Sequence, residues 1–116
     1  MKTADVIGAL GALAHEHRLK IYRLLVEQGP SGLPAGAIGE RVGLVPSSLT
    51  FHLQSLQRAG LITQFRASRQ LIYSADFPVM NDLVGYLTDK CCTAAEGCAT
   101  DCKPVAMPKS RRVKAA

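Results

Sequence analysis

Apolar residues recur at helical spacing through the first sixty residues of the chain, and this pattern predicts four helices. The predicted helices cover residues 4–13, 16–29, 37–43 and 45–60. The fourth is the clearest, because Leu49, Leu53 and Leu56 recur at the spacing of one helical face. Pro46 suits the first position of that helix, and Gly60 suits its end. The expected buried side of the second helix consists of Leu19, Tyr22, Leu25 and Val26.

After residue 60 the pattern changes to short β-type runs and then returns to helical spacing. The segments LITQFR (61–66) and QLIYSA (70–75) predict two strands of a hairpin. DFPVMNDLVGYLTDKCC (76–92) predicts a last helix, with one stripe formed by Met80, Val84, Leu87 and Cys91. The order indicates a mainly α fold with a small β-hairpin. This is the winged helix-turn-helix arrangement of four helices, a two-stranded wing and a C-terminal helix.

The fourth predicted helix carries a polar face opposite its leucines, and that face suits the major groove of DNA. It consists of Ser47, Thr50, Phe51, Gln54 and Arg58. Hydroxyls and amides hydrogen-bond base edges or phosphates, an aromatic ring packs on a thymine methyl, and an arginine neutralises a phosphate. An ordinary solvated face is the alternative. A large exposed aromatic such as Phe51 weighs against it, unless that ring packs on the wing.

The positive charge of the chain gives no independent support for DNA binding. The formal net charge is +5, yet residues 1–102 carry equal numbers of basic and acidic side chains. The excess lies in the last fourteen residues, at Lys103, Lys109, Arg111, Arg112 and Lys114. The basic character is therefore a property of the tail.

An apolar run near the N-terminus, VIGALGALA (6–14), is similar to the core of a signal peptide, but no positive segment precedes it. No stretch reaches the ~18 to 20 apolar residues of a membrane span. We therefore expect a cytoplasmic protein that makes no membrane contact. All four cysteines lie between residues 91 and 102. Cysteines clustered in a reducing compartment more often bind soft metals or sense redox state than form structural disulfides.

Three segments together resemble the ArsR/SmtB family of metalloregulatory repressors: LAHEHRLKIYRLL (13–25), IGERVGLVPSSLTFHLQSLQRAGLI (38–62) and RASRQLIY (66–73). The resemblance implies a homodimer that binds double-stranded operator DNA and releases it when a metal or metalloid binds. It also implies that the last helix forms the dimer interface. We do not expect an enzyme, because a thiol enzyme such as an arsenate reductase needs a cysteine in a phosphate-binding loop that opens a helix, and no cysteine here has that position.

The resemblance carries DNA-contacting roles onto particular positions of this chain. Four fall on the family's recognition-helix motif and two on its wing, namely Ser47, Ser48, Thr50 and His52, and Arg66 and Arg69. His52 lies nearer the leucine stripe than the outward face, so a packing role is the alternative to a base contact. Two positions depart from the family pattern: Ser68 replaces a wing glycine, and Val45 is a poor helix cap.

The family's familiar sensor sites are absent. Pro34 and Gly36 occupy the positions of its Cys-x-Cys pair, and the last helix contains no histidine. Some relatives that respond to arsenic carry a C-C-x5-C arrangement after the last helix. Cys91, Cys92 and Cys98 reproduce that arrangement.

Trivalent arsenic prefers three sulfurs in a pyramid, whereas zinc prefers four tetrahedral ligands, usually from Cys-x-x-Cys pairs that this chain lacks. We therefore expect As(III), or chemically similar Sb(III), to be the inducer. Cys102 is a fourth donor or a spare. The alternatives are zinc or cadmium binding, thiol oxidation, and for Cys91 a plain buried side chain.

The predicted organisation has three parts. Residues 1–92 form the winged helix-turn-helix DNA-binding and dimerisation domain, residues 93–102 the cysteine-bearing sensor segment, and residues 103–116 a basic, disordered tail. On a continuous helix the side chains of Cys91 and Cys92 point about 100 degrees apart. We therefore expect arsenic to unwind or end the last helix near Cys91.

Overall fold

The computed structural model describes residues 1–94. The elements follow the order α1 (Thr3–Leu13), α2 (Glu16–Gln28), a 3-10 turn (Gly29–Ser31), β1 (Leu33–Pro34), α3 (Ala35–Val42), α4 (Pro46–Arg58), β2 (Ile62–Ala67), β3 (Gln70–Ala75) and α5 (Phe77–Thr88). The predicted sequence of four helices, a hairpin and a last helix is confirmed. Residues 1–84 form one compact unit, and the described residues after Val84 belong to a second.

The core of the first unit is built from apolar side chains of all five helices and all three strands. The largest fully buried ones are Ile21, Leu25, Ile38, Leu53, Leu56, Leu61 and Ile62. The predicted stripe of α4 is buried throughout, since Leu49 is only 3% exposed. The predicted face of α2 is partly wrong, because Leu19 is 44% exposed while Ile21 is fully buried. The buried face of α2 therefore includes Ile21 and excludes Leu19.

Three antiparallel strands form the sheet, in the order β1-β3-β2. The β2–β3 hairpin is the predicted wing, and its register pairs Arg66 with Leu71. Ser68 lies in the hairpin turn with a φ of 58°, the left-handed conformation that explains why a glycine is expected there. Sequence reasoning missed β1, whose Leu33 pairs with Tyr73. A two-residue strand is too short to produce an alternating pattern.

A tight turn joins α3 to α4 and makes the helix-turn-helix unit. Gly43 ends α3 in the left-handed conformation, with a φ of 75°, and its N–H donates to the carbonyl of Gly39 at 2.8 Å. α4 then begins at Pro46, after Val45, which makes no side-chain cap. The turn therefore fixes the direction of α4 through backbone bonds.

The last helix ends earlier than the sequence pattern predicts. α5 stops at Thr88, and Lys90 and Cys92 adopt φ values of 60° and 64°. The carboxylate of Asp89 directly after the helix is unfavourable at the negative end of the helix dipole, which is one reason for the stop. The expected continuation of the helix through Cys91 and Cys92 is therefore wrong.

Within residues 1–94, no helix combines the length and apolar character that crossing a membrane requires.

Gly32 gives a stability prediction. Its φ is 66°, and a Cβ added there would collide with the backbone carbonyl of Tyr73 in β3. Gly32→Ala should lower the free energy of unfolding by about 2 kcal/mol or more, because backbone strain and a steric clash act together. Urea denaturation followed by circular dichroism measures the change.

Gly36→Ala is the matched control. Gly36 lies in α3, and an added Cβ would meet no heavy atom within 4 Å. The control should leave stability unchanged or raise it by up to ~1 kcal/mol, as expected for alanine in a helix. Equal effects of the two variants would contradict the close approach of Gly32 to β3.

Candidate nucleic-acid interface and thiol cluster

One side of α4 is exposed along its whole length. The exposed side chains are those predicted to contact DNA on this helix, with the exception of His52: Ser47, Ser48, Thr50, Phe51, Gln54 and Arg58. Phe51 is 56% exposed, so it does not pack into the core. Together they present hydroxyls, an amide, an aromatic ring and a guanidinium to solvent, the groups that read base edges and phosphates.

His52 lies on the buried side of α4 and is only 8% exposed. The Arg18 side chain donates a hydrogen bond from Nε to His52 Nδ1 at 3.2 Å. Burial lowers the pKa of His52 below its ordinary value, and electrostatic interactions with His15, Arg18 and His17 lower it further. A neutral ring is the state that accepts from Arg18. This placement favours the packing role of His52 over a base contact.

Arg18 also connects the buried histidine to the exposed face of α4. Its guanidinium carbon lies 5.5 Å from the centroid of the Phe51 ring, within the range of a cation–π interaction. The Phe51 and His52 rings meet edge to face at 5.5 Å. Sequence reasoning missed this role of Arg18, because α2 and α4 approach only in the folded chain. The exposed Phe51 is therefore held by α2 rather than by the wing.

The two wing arginines lie beside the start of α3. Arg66, on β2, and Arg69, in the hairpin turn, line one concave surface together with Pro34, Ala35 and Gly36. Both arginines are exposed. Backbone N–H groups at the start of a helix and arginine side chains both attract phosphate oxygens. This surface is therefore suited to the backbone of DNA.

We expect Arg66→Ala combined with Arg69→Ala to weaken operator binding about 10- to 100-fold. Losing two phosphate contacts should also reduce the steepness of the salt dependence by about 2, because each contact releases roughly one counterion. Fluorescence anisotropy at several salt concentrations measures both quantities. Lys20→Ala combined with Arg23→Ala removes two exposed positive charges from α2; this charge-matched control should leave the slope unchanged. An unchanged slope in the double variant would contradict phosphate contact by the wing.

A pair of sulfur atoms follows the end of α5. Cys91 Sγ lies 3.3 Å from Cys92 Sγ, because the left-handed turns at Lys90 and Cys92 bring the two side chains together. Cys91 is exposed, so the alternative of a plain buried side chain does not hold in this chain. Cys92 is disulfide-bonded in the structure. The other predicted ligands, Cys98 and Cys102, lie outside the described residues.

Large apolar side chains on α1 and α5 remain exposed in the single chain. On α1, Ile7 and Leu10 are 65% and 40% exposed. On α5, Val84 and Leu87 are 55% and 59% exposed. The predicted stripe of α5 therefore faces away from the core of residues 1–84 at Val84. Exposed apolar surface of this kind is typical of an interface.

Comparisons with known proteins agree with this geometry. Residues 13–64 match the model of a helix-turn-helix domain. The nodulation protein NolR of Rhizobium meliloti is 32% identical over 82 residues, which cover 71% of this chain and 65% of that protein. The HTH-type transcriptional regulator NmtR of Mycobacterium tuberculosis is 37% identical over 71 residues, which cover 61% of this chain and 57% of that protein. The chain thus spans less than two thirds of the length of either relative.

Solved structures share the fold. An ArsR-like transcriptional regulator from Rhodococcus superposes with a TM-score of 0.68 at 23% identity, over 84% of this chain and 90% of that one. A homodimeric winged helix-turn-helix DNA-binding domain from Mycobacterium bovis superposes with a TM-score of 0.59 at 26% identity, over 80% and 86%. The expected winged helix-turn-helix fold is confirmed. The domain match and the shared fold show a helix-turn-helix domain within a winged helix-turn-helix fold.

Proposed function

We propose that this chain is an arsenite-responsive transcriptional repressor. It binds double-stranded operator DNA as a homodimer and releases the DNA when As(III), or Sb(III), binds the thiolates of Cys91, Cys92 and Cys98. The observation that carries the proposal is the approach of two sulfur atoms to 3.3 Å directly after the last helix.

DNA binding is supported by the chemistry of α4 and the wing. The exposed face of α4 is wide enough to carry hydroxyl, amide and guanidinium groups at successive turns, while Arg66 and Arg69 flank the start of α3. A recognition helix in the major groove with a wing on the neighbouring backbone uses both surfaces. The helix-turn-helix match covers α2, α3 and α4.

A homodimer is supported by the exposed apolar residues of α1 and α5. Isolated exposed side chains are ordinary, but Ile7, Val84 and Leu87 are each more than half exposed. The domain from Mycobacterium bovis that shares this fold is itself described as homodimeric. A dimer also presents two recognition helices. To enter successive major grooves, these helices must lie about 34 to 36 Å apart.

The spacing of the two sulfur atoms suits a pyramidal metalloid, which would bind them once Cys92 is reduced. Bonds of about 2.3 Å, the usual metal–thiolate length, at nearly a right angle place two sulfurs about 3.3 Å apart. Cys91 and Cys92 already stand at that separation. A third thiolate from Cys98 would complete the coordination. Cys102 remains a fourth donor or a spare.

The position of the cysteines suggests how binding acts on DNA. Cys91 and Cys92 lie three and four residues after the end of α5, so an ion held there restrains the end of the helix that carries Val84 and Leu87. A small change at the dimer interface alters the spacing of the recognition helices. A coupling free energy of about 1 to 3 kcal/mol would weaken operator binding roughly 5- to 150-fold.

The test is an anisotropy titration of a labelled operator, selected from random DNA, with As(III), Sb(III), Zn(II) and Cd(II). The reductant should be a phosphine, because dithiols bind arsenite themselves. Arsenite should weaken binding within the range given above, and replacing Cys91, Cys92 and Cys98 by serine should remove that effect. Release by zinc or cadmium but not by arsenite would overturn the choice of inducer.

A second candidate is a regulator that responds to thiol oxidation. The disulfide bond of Cys92 is the observation that favours it. A peroxide should then release the DNA, and arsenite should have no effect on fully reduced protein. Release of reduced protein by arsenite without any oxidant contradicts this second candidate.

A further inference from the structure

Three histidines that lie far apart in the sequence meet in the folded chain. Among the described residues, His15, His17 and His52 are the one group of potential metal ligands whose donor atoms all lie within 4.8 Å of one another. The ring centroids of His15 and His52 are 4.6 Å apart, and that of His17 is 5.6 and 5.7 Å from them. The sequence separates the first two from the third by more than thirty residues.

The backbone positions of α2 and α4 bring the three side chains together. His15 is the N-cap of α2, and its Nδ1 accepts a hydrogen bond from the backbone N–H of His17 at 3.2 Å. His17 follows in the first turn of α2 and is half-buried, whereas His52 projects from the buried side of α4. The cluster therefore joins α2 to α4, the second helix of the helix-turn-helix unit.

We propose that His15, His17 and His52 bind a divalent transition-metal ion, such as Zn²⁺, in a site separate from the cysteines. Imidazole nitrogens are good ligands for zinc, nickel and copper, and three of them leave one tetrahedral position for water. Bonds of 2.0–2.1 Å in a tetrahedron place the nitrogens about 3.3 Å apart. The rings must therefore close by about 1.5 Å from their present separation, a shift within the reach of side-chain rotation at the exposed His15 and the half-buried His17.

Metal binding at this site displaces Arg18. Since His52 Nδ1 accepts from Arg18 Nε, the proton of the neutral ring is on Nε2. A metal on Nδ1 takes the lone pair that Arg18 uses. A metal on Nε2 moves the ring proton to Nδ1, which then cannot accept. Either way the hydrogen bond from Arg18 is lost.

The loss of that hydrogen bond should also affect the exposed face of α4. The Arg18 guanidinium is the group that lies over the Phe51 ring, and Phe51 also contacts His52. The site is thus built behind the surface proposed to read DNA. It does not depend on the thiol site for any ligand.

The experiment uses the full, tag-free chain with all four cysteines replaced by serine, so that thiols bind no metal. Zn²⁺ affinity is measured by competition with a chromophoric chelator. We expect one Zn²⁺ per chain in this background and an affinity at least about tenfold weaker after His17→Gln. His15→Asn should weaken it similarly, while its amide oxygen keeps the helix cap. Glu16→Gln, between the two histidines, is the control and should leave the affinity unchanged.

A second measurement separates a metal ligand from a structural role. The Arg18 Nε–H resonance of the same protein should shift on addition of Zn²⁺ and should not shift in His17→Gln. Circular dichroism verifies that each variant is folded. Absence of a bound Zn²⁺ in the cysteine-free chain, or equal affinity before and after His17→Gln, would overturn the site. Arsenite release of the unmodified chain is unaffected by either result, so the two proposals fail independently.

Discussion

Cys92→Ser is expected to abolish the release of operator DNA by arsenite. The unmodified chain should bind its operator roughly 5- to 150-fold more weakly with arsenite, whereas the variant should change by less than about twofold. The reason is geometric, because the Cys91 and Cys92 sulfurs at 3.3 Å are the pair that brings one ion close to the end of α5. Anisotropy titrations in phosphine-reduced buffer measure the difference.

The other cysteines provide the controls. Cys91→Ser and Cys98→Ser should have the same effect, since a pyramidal ion needs three sulfurs, and Cys102→Ser should retain most of the response. Operator affinity without arsenite should stay nearly unchanged in all four, because none of these residues belongs to α4 or the wing. A full response in Cys92→Ser would contradict the three-thiolate site.

Much of the fold could be predicted because local patterns determine it. Leu49, Leu53 and Leu56 identify the buried face of α4 by spacing alone, and the structure confirms it. Pro46 and the two hairpin runs locate the start of α4 and the wing. In each case the signal lies within a few residues of the feature that it predicts.

Sequence reasoning missed features of two kinds. Some depend on contacts between residues far apart in the sequence, and one is a helix that ends although its apolar spacing continues. Leu33 becomes a strand only because β3 lies beside it. The contact of Arg18 with His52 and Phe51 joins α2 to α4, and no spacing rule connects them. The end of α5 at Thr88 was missed because the apolar spacing continues to Cys91.

The early end of α5 changes the proposed switch. If the helix continued, arsenic would have to unwind it before Cys91 and Cys92 could share one ion. In the structure the chain has already left the helix, and the left-handed residues Lys90 and Cys92 bring the sulfurs together. We therefore expect arsenic binding to restrain an existing turn and not to break a helix. Such a restraint would make the end of α5 more rigid. The dimer would be affected because α5 is its proposed interface.

Leu87→Glu, combined with Ile7→Glu, is expected to separate the dimer into monomers. Both side chains are more than half exposed in the single chain, at 59% and 65%. In a two-fold symmetric dimer each substitution occurs twice, and burying unpaired carboxylates costs several kcal/mol. We therefore expect the dimer to dissociate at least about 100-fold more readily, measured by sedimentation equilibrium. Operator affinity should fall at least as far, because a monomer presents one recognition helix.

Leu19→Glu distinguishes a specific interface from a general effect of charge. Leu19 is 44% exposed on α2, outside α1 and α5, so the variant should remain dimeric and keep its operator affinity. Circular dichroism should show the same helical content in both variants, since neither replaces a buried side chain. A Leu87→Glu, Ile7→Glu chain that stays dimeric would place the interface elsewhere. The cysteines after α5 would then be remote from the subunit contact, and arsenic would need another route to the recognition helices.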